Sequence, residues 1–303
     1  MNNSMDNTSH DLLHTPVMVD EVLEYLQPRM GQIILDCTVG CGGHASKILD
    51  KIKPNGSLLG IDKDEEILHM AKHSLSKTGG FFKLYHADYS DVDIVLQQAG
   101  IDKVNGVLLD LGVSSFQLDK AERGFSMLQN GPLDMRMNRS QENNAQYLIR
   151  KLPEEKLREL FWKYGEERWA KRISKAIVRE RAKTDITTTK QLATIVEQAT
   201  PKVKSRIHPA TRVFQALRIV VNRELESLQI FLSKIHNYMI VGARIVIISF
   251  HSLEDRIVKT AFNTKAKEGI FRILTKKPVQ PSTTEIERNT RSRSAKLRSA
   301  ERL

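Results

Sequence analysis

The sequence predicts an α/β fold in which a parallel sheet is interrupted between its fourth and fifth strands by an all-helical insertion. Two observations support this. Short apolar runs alternate with segments of helical period up to residue 111, and the strand pattern then stops over residues 116–208 before it returns at Arg244–Phe250. A third observation is that the charge balance changes sign near the point where the strand pattern stops.

The alternation starts with a helix, which Thr15-Pro16 should begin and Pro28 should end. Four apolar runs then predict buried strands, at Ile33–Asp36, Leu58–Asp62, Phe81–Tyr85 and Val104–Leu111. Segments of helical period separate these runs. Because a helix connects each strand to the next, the strands should be parallel.

The middle of the chain carries helical stretches and no convincing strand. Pro209 should then open one long amphipathic helix that runs to Ile235. We therefore expect three parts. Residues 1–13 form a flexible leader, residues 14–115 and 209–303 together form the sheet domain, and residues 116–208 form an inserted helical domain.

Charge is distributed unevenly along the 303 residues, which carry a net charge of +11. Residues 1–135 hold 11 basic and 19 acidic side chains, whereas residues 136–223 hold 21 basic and 9 acidic ones. Such a bias indicates a polyanionic partner, most simply nucleic acid, although a solvated helical surface is the alternative for any one segment. The candidate phosphate contacts are Lys171, Arg172, Lys175 and Arg179.

Composition also excludes several classes of protein. The two cysteines, Cys37 and Cys41, are too few for a disulfide scaffold or a four-cysteine zinc site. No stretch approaches the ~18 apolar residues that span a bilayer, and the first twenty residues contain no apolar signal segment. We therefore expect a cytoplasmic protein without a membrane partner.

A glycine-rich turn from Asp36 to His44 follows the first strand, and Asp62 ends the second. Glycines let the backbone approach a ligand, and a carboxylate at this strand end can accept hydrogen bonds from a ribose diol. The pair predicts a nucleoside cofactor. NAD and S-adenosylmethionine both use this arrangement, and Ser46 stands where the dinucleotide fingerprint has its third small residue. Two ordinary acids that cap helices are the structural alternative.

Three further strand ends carry candidate site residues. Asp88-Tyr89 could hold an adenine ring, and the segment Asp110–Gln117 lies where a methyl acceptor would bind. Ser249–Arg256 combines serine, histidine and acids, but the nucleophile elbow of hydrolases is absent. No histidine or cysteine spacing is typical of metal ligands, so we predict no metal.

Several longer motifs occur in order along almost the whole chain: His14-Thr15-Pro16-Val17, Gly40–His44, Asp110–Asp119, Ala121–Ser126, Gly131–Met137, Tyr164–Arg168, His208–Arg212, Val221-Asn222 and Ser249–Arg256. Together they resemble the ribosomal RNA small subunit methyltransferase H family. The resemblance implies a Rossmann-like class I methyltransferase fold and S-adenosyl-L-methionine as the cofactor. It also implies N4-methylation of a cytidine in the decoding centre (P-site region) of 16S rRNA, so that the small ribosomal subunit is the partner.

By motif, the resemblance places cofactor contacts at Gly42, Gly43, His44, Asp62, Tyr89, Asp110 and Gln117. Many amino-methyltransferases carry Asp/Asn-Pro-Pro-Tyr after the fourth strand, whereas this chain has Asp110-Leu111-Gly112-Val113. The candidate catalytic residues are therefore Asp110, His251 and Ser114. A non-catalytic RNA-binding factor and an NAD oxidoreductase are competing functions, and the sequence is compatible with a monomer or a homodimer.

Overall fold

A computed structural model describes residues 16–201 and 207–303. Its centre is a seven-stranded sheet, whose strands are β1 (Ile33–Asp36), β2 (Ser57–Asp62), β3 (Phe81–His86), β4 (Val104–Asp110), β5 (Met239–Ser249), β6 (Phe271–Ile273) and β7 (Lys296–Arg302). The spatial order is β3-β2-β1-β4-β5-β7-β6. The predicted 1–13 leader lies outside the described residues.

The first five strands are parallel, as predicted. Strand β7 runs antiparallel between β5 and β6, and neither β6 nor β7 is predicted from the sequence. Both strands lack the apolar run by which the other strands were predicted, because β6 has only three residues and β7 alternates charged residues with Leu297 and Ala300. Its burial depends on pairing with β5, which no local pattern encodes.

The helices of the sheet's two faces are α1 (Val19–Leu26), α2 (Gly43–Ile52), α3 (Glu65–Ser76), α4 (Val92–Ala99), α11 (Glu224–Lys234) and α12 (Ser252–Lys267), and a short α13 (Thr283–Arg288) follows. The predicted start of the first helix at Thr15-Pro16 is wrong: α1 begins at Val19, and Thr15 lies outside the described residues.

Successive strand residues point to opposite faces of the sheet, and each face has its own apolar cluster. In β4, Val107 and Leu109 pack with α4, α11 and α12, whereas Leu108 packs with α1, α2 and α3. The fold is therefore three-layered, with the sheet buried between two layers of helices.

The insertion contains α5 (Ser115–Asp119), α6 (Ala145–Lys151), α7 (Glu154–Gly165), α8 (Ala170–Arg181) and α9 (Thr189–Ala199). A third apolar cluster holds it together, and α10 (Thr211–Asn222) contributes Val213, Phe214 and Leu217 to that cluster. The single helix predicted over 209–235 is wrong, because Arg223 adopts a left-handed conformation (φ 52°) and separates α10 from α11. The domain limit at 208 stays a prediction, and the packing of α10 favours a limit near Arg223.

A buried ion pair joins the insertion to the sheet. The Arg123 guanidinium lies 2.6 Å from Asp64 Oδ2, and the two side chains are 1% and 2% exposed. Arg123 also donates to the carbonyls of Arg136 and Met137. The start of the insertion is thus fixed to the loop after β2.

Within the described residues, no helix combines the length and the apolar character that crossing a bilayer requires.

Candidate functional site

The carboxyl ends of β1, β2 and β4 bring Asp36, Asp62 and Asp110 to one edge of the sheet. From β1 the sheet continues to β2 and β3 on one side, and from β4 it continues to β5 on the other side. The place between the carboxyl ends of β1 and β4 is therefore the topological switch point, where open α/β sheets bind ligands. A direct contact closes this junction: the Asp110 N–H donates to Thr38 Oγ1 at 2.6 Å.

The glycine turn and Asp62 are in direct contact. Asp62 Oδ2 accepts from the N–H of Gly40 at 3.0 Å, and Oδ1 accepts from the N–H of Asp64 at 3.0 Å. Gly42 precedes α2 with φ 90°, a conformation that L side chains rarely adopt. The carboxylate is therefore held in place, and each oxygen keeps a lone pair for a ligand hydroxyl.

The three acids share an electrostatic environment that favours a cation. Burial raises the pKa of Asp36 to about 7 and that of Asp62 to about 6. Burial first, and then the charge of Asp36, raises the pKa of Asp110 well above its ordinary value. Asp36 Oδ2 and Asp110 Oδ1 are buried, and neither atom has a hydrogen-bond partner among the described residues. S-adenosylmethionine carries a sulfonium and an ammonium group and fits these acids, whereas the anionic pyrophosphate of NAD would oppose them.

His44, in the first turn of α2, lies against Asp110. Its Nε2 is 3.5 Å from Asp110 Oδ2, and the side chains are 6% and 21% exposed. The structure therefore brings together two of the residues for which the resemblance implies cofactor contacts.

The segment after β3 is more deeply packed than the predicted adenine contact suggests. Tyr89 is 8% exposed, its hydroxyl donates to the carbonyl of Glu224, and its ring packs edge-on against Phe231. Asp88 pairs with Lys63 at 2.6 Å. These contacts account for both side chains within the fold, and the adenine role stays a prediction.

Ser114 and Gln117 form a capping box at the start of α5. Ser114 Oγ accepts from the Gln117 N–H, and Gln117 Oε1 accepts from the Ser114 N–H. The Gln117 amide also donates to Asp64 Oδ2 at 2.7 Å. Ser114 thus has a structural role that the sequence analysis missed, although a serine three residues before a glutamine is the local signal of such a cap.

His251 also caps a helix. Its Nδ1 accepts from the Glu254 N–H at 3.4 Å, which places the ring proton on Nε2, 3.2 Å from Glu254 Oε1. The cap occupies Nδ1, whereas Nε2 has no hydrogen-bond partner among the described residues. The predicted catalytic role of His251 remains untested, and the geometry favours a positioning role.

Glu224, His251 and Glu254 place ligand atoms within 4.8 Å of one another, so this cluster could hold a metal. However, Arg218 contacts both oxygens of Glu224, at 2.8 and 2.9 Å. A guanidinium in that position favours an ion-pair cluster over a cation site, and the absence of a metal stays a prediction.

Replacing Asp62 with alanine should weaken S-adenosylmethionine binding at least tenfold, because each charge-assisted hydrogen bond contributes ~1.5–3 kcal/mol. Calorimetry measures the affinity, and circular dichroism checks that the fold is retained. Glu65→Ala, a nearby exposed acid on α3, is the matched control. Unchanged affinity in the Asp62 variant would remove this residue from the site.

Asp36→Asn should stabilise the cofactor-free protein at pH 8. Because the pKa of Asp36 is raised, the folded state holds this proton more tightly than the unfolded state does. The aspartate therefore lowers the free energy of unfolding, and this loss grows as the pH rises from 4 to about 7. At ~1.4 kcal/mol per pKa unit, the gain in unfolding free energy is at most about 4 kcal/mol at pH 8 and shrinks as the pH falls. Denaturant titrations at pH 5 and 8 measure it, and equal gains at both values would contradict the assignment.

Comparisons with known proteins show the family of this chain. A ribosomal RNA small subunit methyltransferase H from Thermotoga neapolitana is 50% identical over 293 residues, which cover 95% of each chain. The protein of the same name from Caldicellulosiruptor saccharolyticus is 45% identical over 305 residues, covering 96% of this chain and 99% of that one. The model of the MraW methylase family matches residues 11–303. With the glycine turn and the acidic sheet edge in the arrangement of a nucleoside-binding methyltransferase, the chain belongs to the MraW methylase family.

Proposed function

We propose that this protein transfers a methyl group from S-adenosylmethionine to N4 of a cytidine in the decoding centre of 16S rRNA. The chain is similar over nearly its full length to relatives that are named ribosomal RNA small subunit methyltransferase H. The observation that best supports the chemistry is Asp110, which presents a buried oxygen without a hydrogen-bond partner at the switch point of the sheet.

The chemical problem is the weak nucleophilicity of a cytosine amino group, whose lone pair is delocalised into the ring. The bound cofactor would supply the electrophilic methyl group. An acceptor that holds the amino hydrogens returns the lone pair to the nitrogen, and the proton can leave afterwards, so positioning is the main requirement.

Asp110 is the best candidate for this acceptor among the residues that the sequence suggests. Within the part of the chain that the structure describes, its Oδ1 has no hydrogen-bond partner, whereas Ser114 and His251 both form helix caps. The imidazole of His44, 3.5 Å from Oδ2, would hold the carboxylate in position. We therefore assign Asp110 the acceptor role, and Ser114 and His251 the task of fixing the loops around it.

The candidate RNA contacts on α8, Lys171, Arg172, Lys175 and Arg179, are all exposed. Replacing these four with glutamine should weaken RNA binding and flatten its salt dependence, because each phosphate contact releases counterions. Titrations at several salt concentrations measure the slope, and cofactor affinity should not change. The control replaces four exposed lysines elsewhere on the surface with glutamine. Two lie on α2, one on α3 and one directly after α3: Lys47, Lys51, Lys72 and Lys77. Equal slopes in the two variants would show that α8 has no special role.

The function is tested by incubating the protein with labelled S-adenosylmethionine and small ribosomal subunits that lack the modification, followed by mapping of the modified nucleotide. We expect the label on N4 of one cytidine in the decoding centre. Methylation at another atom or nucleotide would contradict the proposed specificity. Binding to the subunit without methyl transfer would favour a non-catalytic assembly factor.

A further inference from the structure

Both tryptophans of the chain are exposed and lie in the insertion. Trp162, in the last turns of α7, is 63% exposed, and Trp169, directly before α8, is 40% exposed. Tryptophan is highly buried on average, so two exposed rings seven positions apart on the basic part of the chain need a reason.

Trp162 lines a cleft of about 520 Å³ between α7 and the start of α8. Arg158, Arg168 and Lys171 also line it, and all three are exposed without an ion-pair partner among the described residues. The lining acids are Glu155 and Glu159, of which Glu159 is paired with Lys156 at 3.0 Å. The cleft therefore combines a free indole face with unneutralised positive charge.

The second tryptophan extends this surface. The Arg172 guanidinium lies 5.5 Å from the centre of the Trp169 ring, within the range of a cation–π contact. Such a contact holds an exposed ring in one orientation and keeps a cation beside it. Two aromatic rings with cations around them are the elements from which single-stranded nucleic acid sites are built.

On the basis of the proposed function, we propose that the α7–α8 cleft is a stacking platform for single-stranded RNA. An unpaired base stacks on Trp162, and neighbouring phosphates contact Arg158, Arg168 and Lys171. The partner is single-stranded because bases within a duplex are stacked on each other and offer no free face to an indole.

The platform is attached to the edge of the sheet that carries Asp110. Glu166, which follows α7, accepts a hydrogen bond from Ser252 Oγ at 2.9 Å and lies 3.4 Å from Arg256. Both partners belong to α12, the helix that directly follows β5. RNA held on the platform would therefore be held by the part of the insertion that contacts the catalytic edge.

Tryptophan fluorescence tests the proposal directly, because base stacking quenches an indole. In a Trp169→Phe variant, Trp162 is the only tryptophan. We expect a 12-nucleotide single-stranded RNA to quench its emission saturably, and a duplex of the same length to do so much less. Trp162→Ala should weaken single-strand affinity, measured by anisotropy, about five- to a hundredfold. Trp162→Phe should retain most of it, and Phe81→Ala, which removes an exposed ring on β3, is the matched control.

Methyl transfer to small subunits by the unaltered protein, measured in parallel, separates this proposal from the function itself. If transfer occurs but Trp162→Ala binds single-stranded RNA as tightly as the unaltered protein, the platform is wrong and the function stands. If subunit binding depends on Trp162 while single-stranded RNA causes no quenching, the cleft serves a protein partner and the proposal is overturned. Absence of both RNA binding and methyl transfer would contradict the function and the platform together.

Discussion

Asp110→Asn is expected to lower single-turnover methyl transfer ~10²-fold at saturating cofactor and RNA, the low end for a positioned acid–base group. Asparagine keeps the shape of the side chain and one acceptor oxygen. It cannot carry the negative charge that the cation of the bound cofactor would favour on Asp110 and that would stabilise the positive charge developing on the amino nitrogen. Among the described residues, the buried Oδ1 has no hydrogen-bond partner that would give this oxygen a structural role instead. Rapid-quench measurements with labelled cofactor give the rate.

Ser114→Ala is the informative control for this variant. Loss of the cap at the start of α5 should lower the unfolding free energy by ~0.5–2 kcal/mol while the single-turnover rate changes little. If saturating cofactor restores the full rate to the Asp110 variant, then Asp110 acts only in cofactor binding. A large loss of rate in the Ser114 variant would instead show that the Ser114 hydroxyl takes part in catalysis.

Arg123→Met should cost ~3–5 kcal/mol of unfolding free energy, because it leaves the carboxylate of Asp64 buried without its cation. It also removes the donors to two carbonyls of the insertion. Denaturant unfolding measures the loss, and limited proteolysis should show earlier cleavage near the start of the insertion.

A second variant separates charge from packing. The double variant Arg123→Met with Asp64→Asn should recover part of the loss, because no uncompensated charge is left buried. Arg291→Met, which breaks an exposed pair with Asp119, should have little effect. A single Arg123 variant as stable as the unaltered protein would show that the pair does not fix the junction.

Local patterns were sufficient for the parallel part of the sheet. The first, second and fourth strands are apolar runs that end in an acid, and the structure places Asp36, Asp62 and Asp110 at one edge, as expected from parallel strands. The glycine turn was predicted in the same way, whereas its hydrogen bond with Asp62 was not. A nucleoside cofactor could be inferred from these residues, whereas the family, and with it S-adenosylmethionine, was inferred from the resemblance of the longer motifs.

Features that depend on distant partners could not be predicted. Arg123 is a single charged residue whose partner Asp64 is 59 positions away, and nothing beside it indicates burial. The apolar period of α10 continues into α11, so only the backbone conformation of Arg223 reveals the break. The sequence alone does not distinguish a helix cap from a catalytic residue at Ser114 and His251, because a polar side chain at a strand end suits either role.

The position of the insertion also has a consequence for how the chain folds during synthesis. Strands β4 and β5 are neighbours in the sheet, but residues 111–238 separate them in the sequence. At ~5–20 residues per second, β4 waits on the order of ten seconds for its partner, with one edge open to incorrect pairing. The insertion has an apolar core of its own, so its early collapse would bring the two ends of this long segment together and shorten the loop that must close. We therefore expect the insertion to act as a folding clamp for the nascent chain, and its destabilised variants to aggregate through β4.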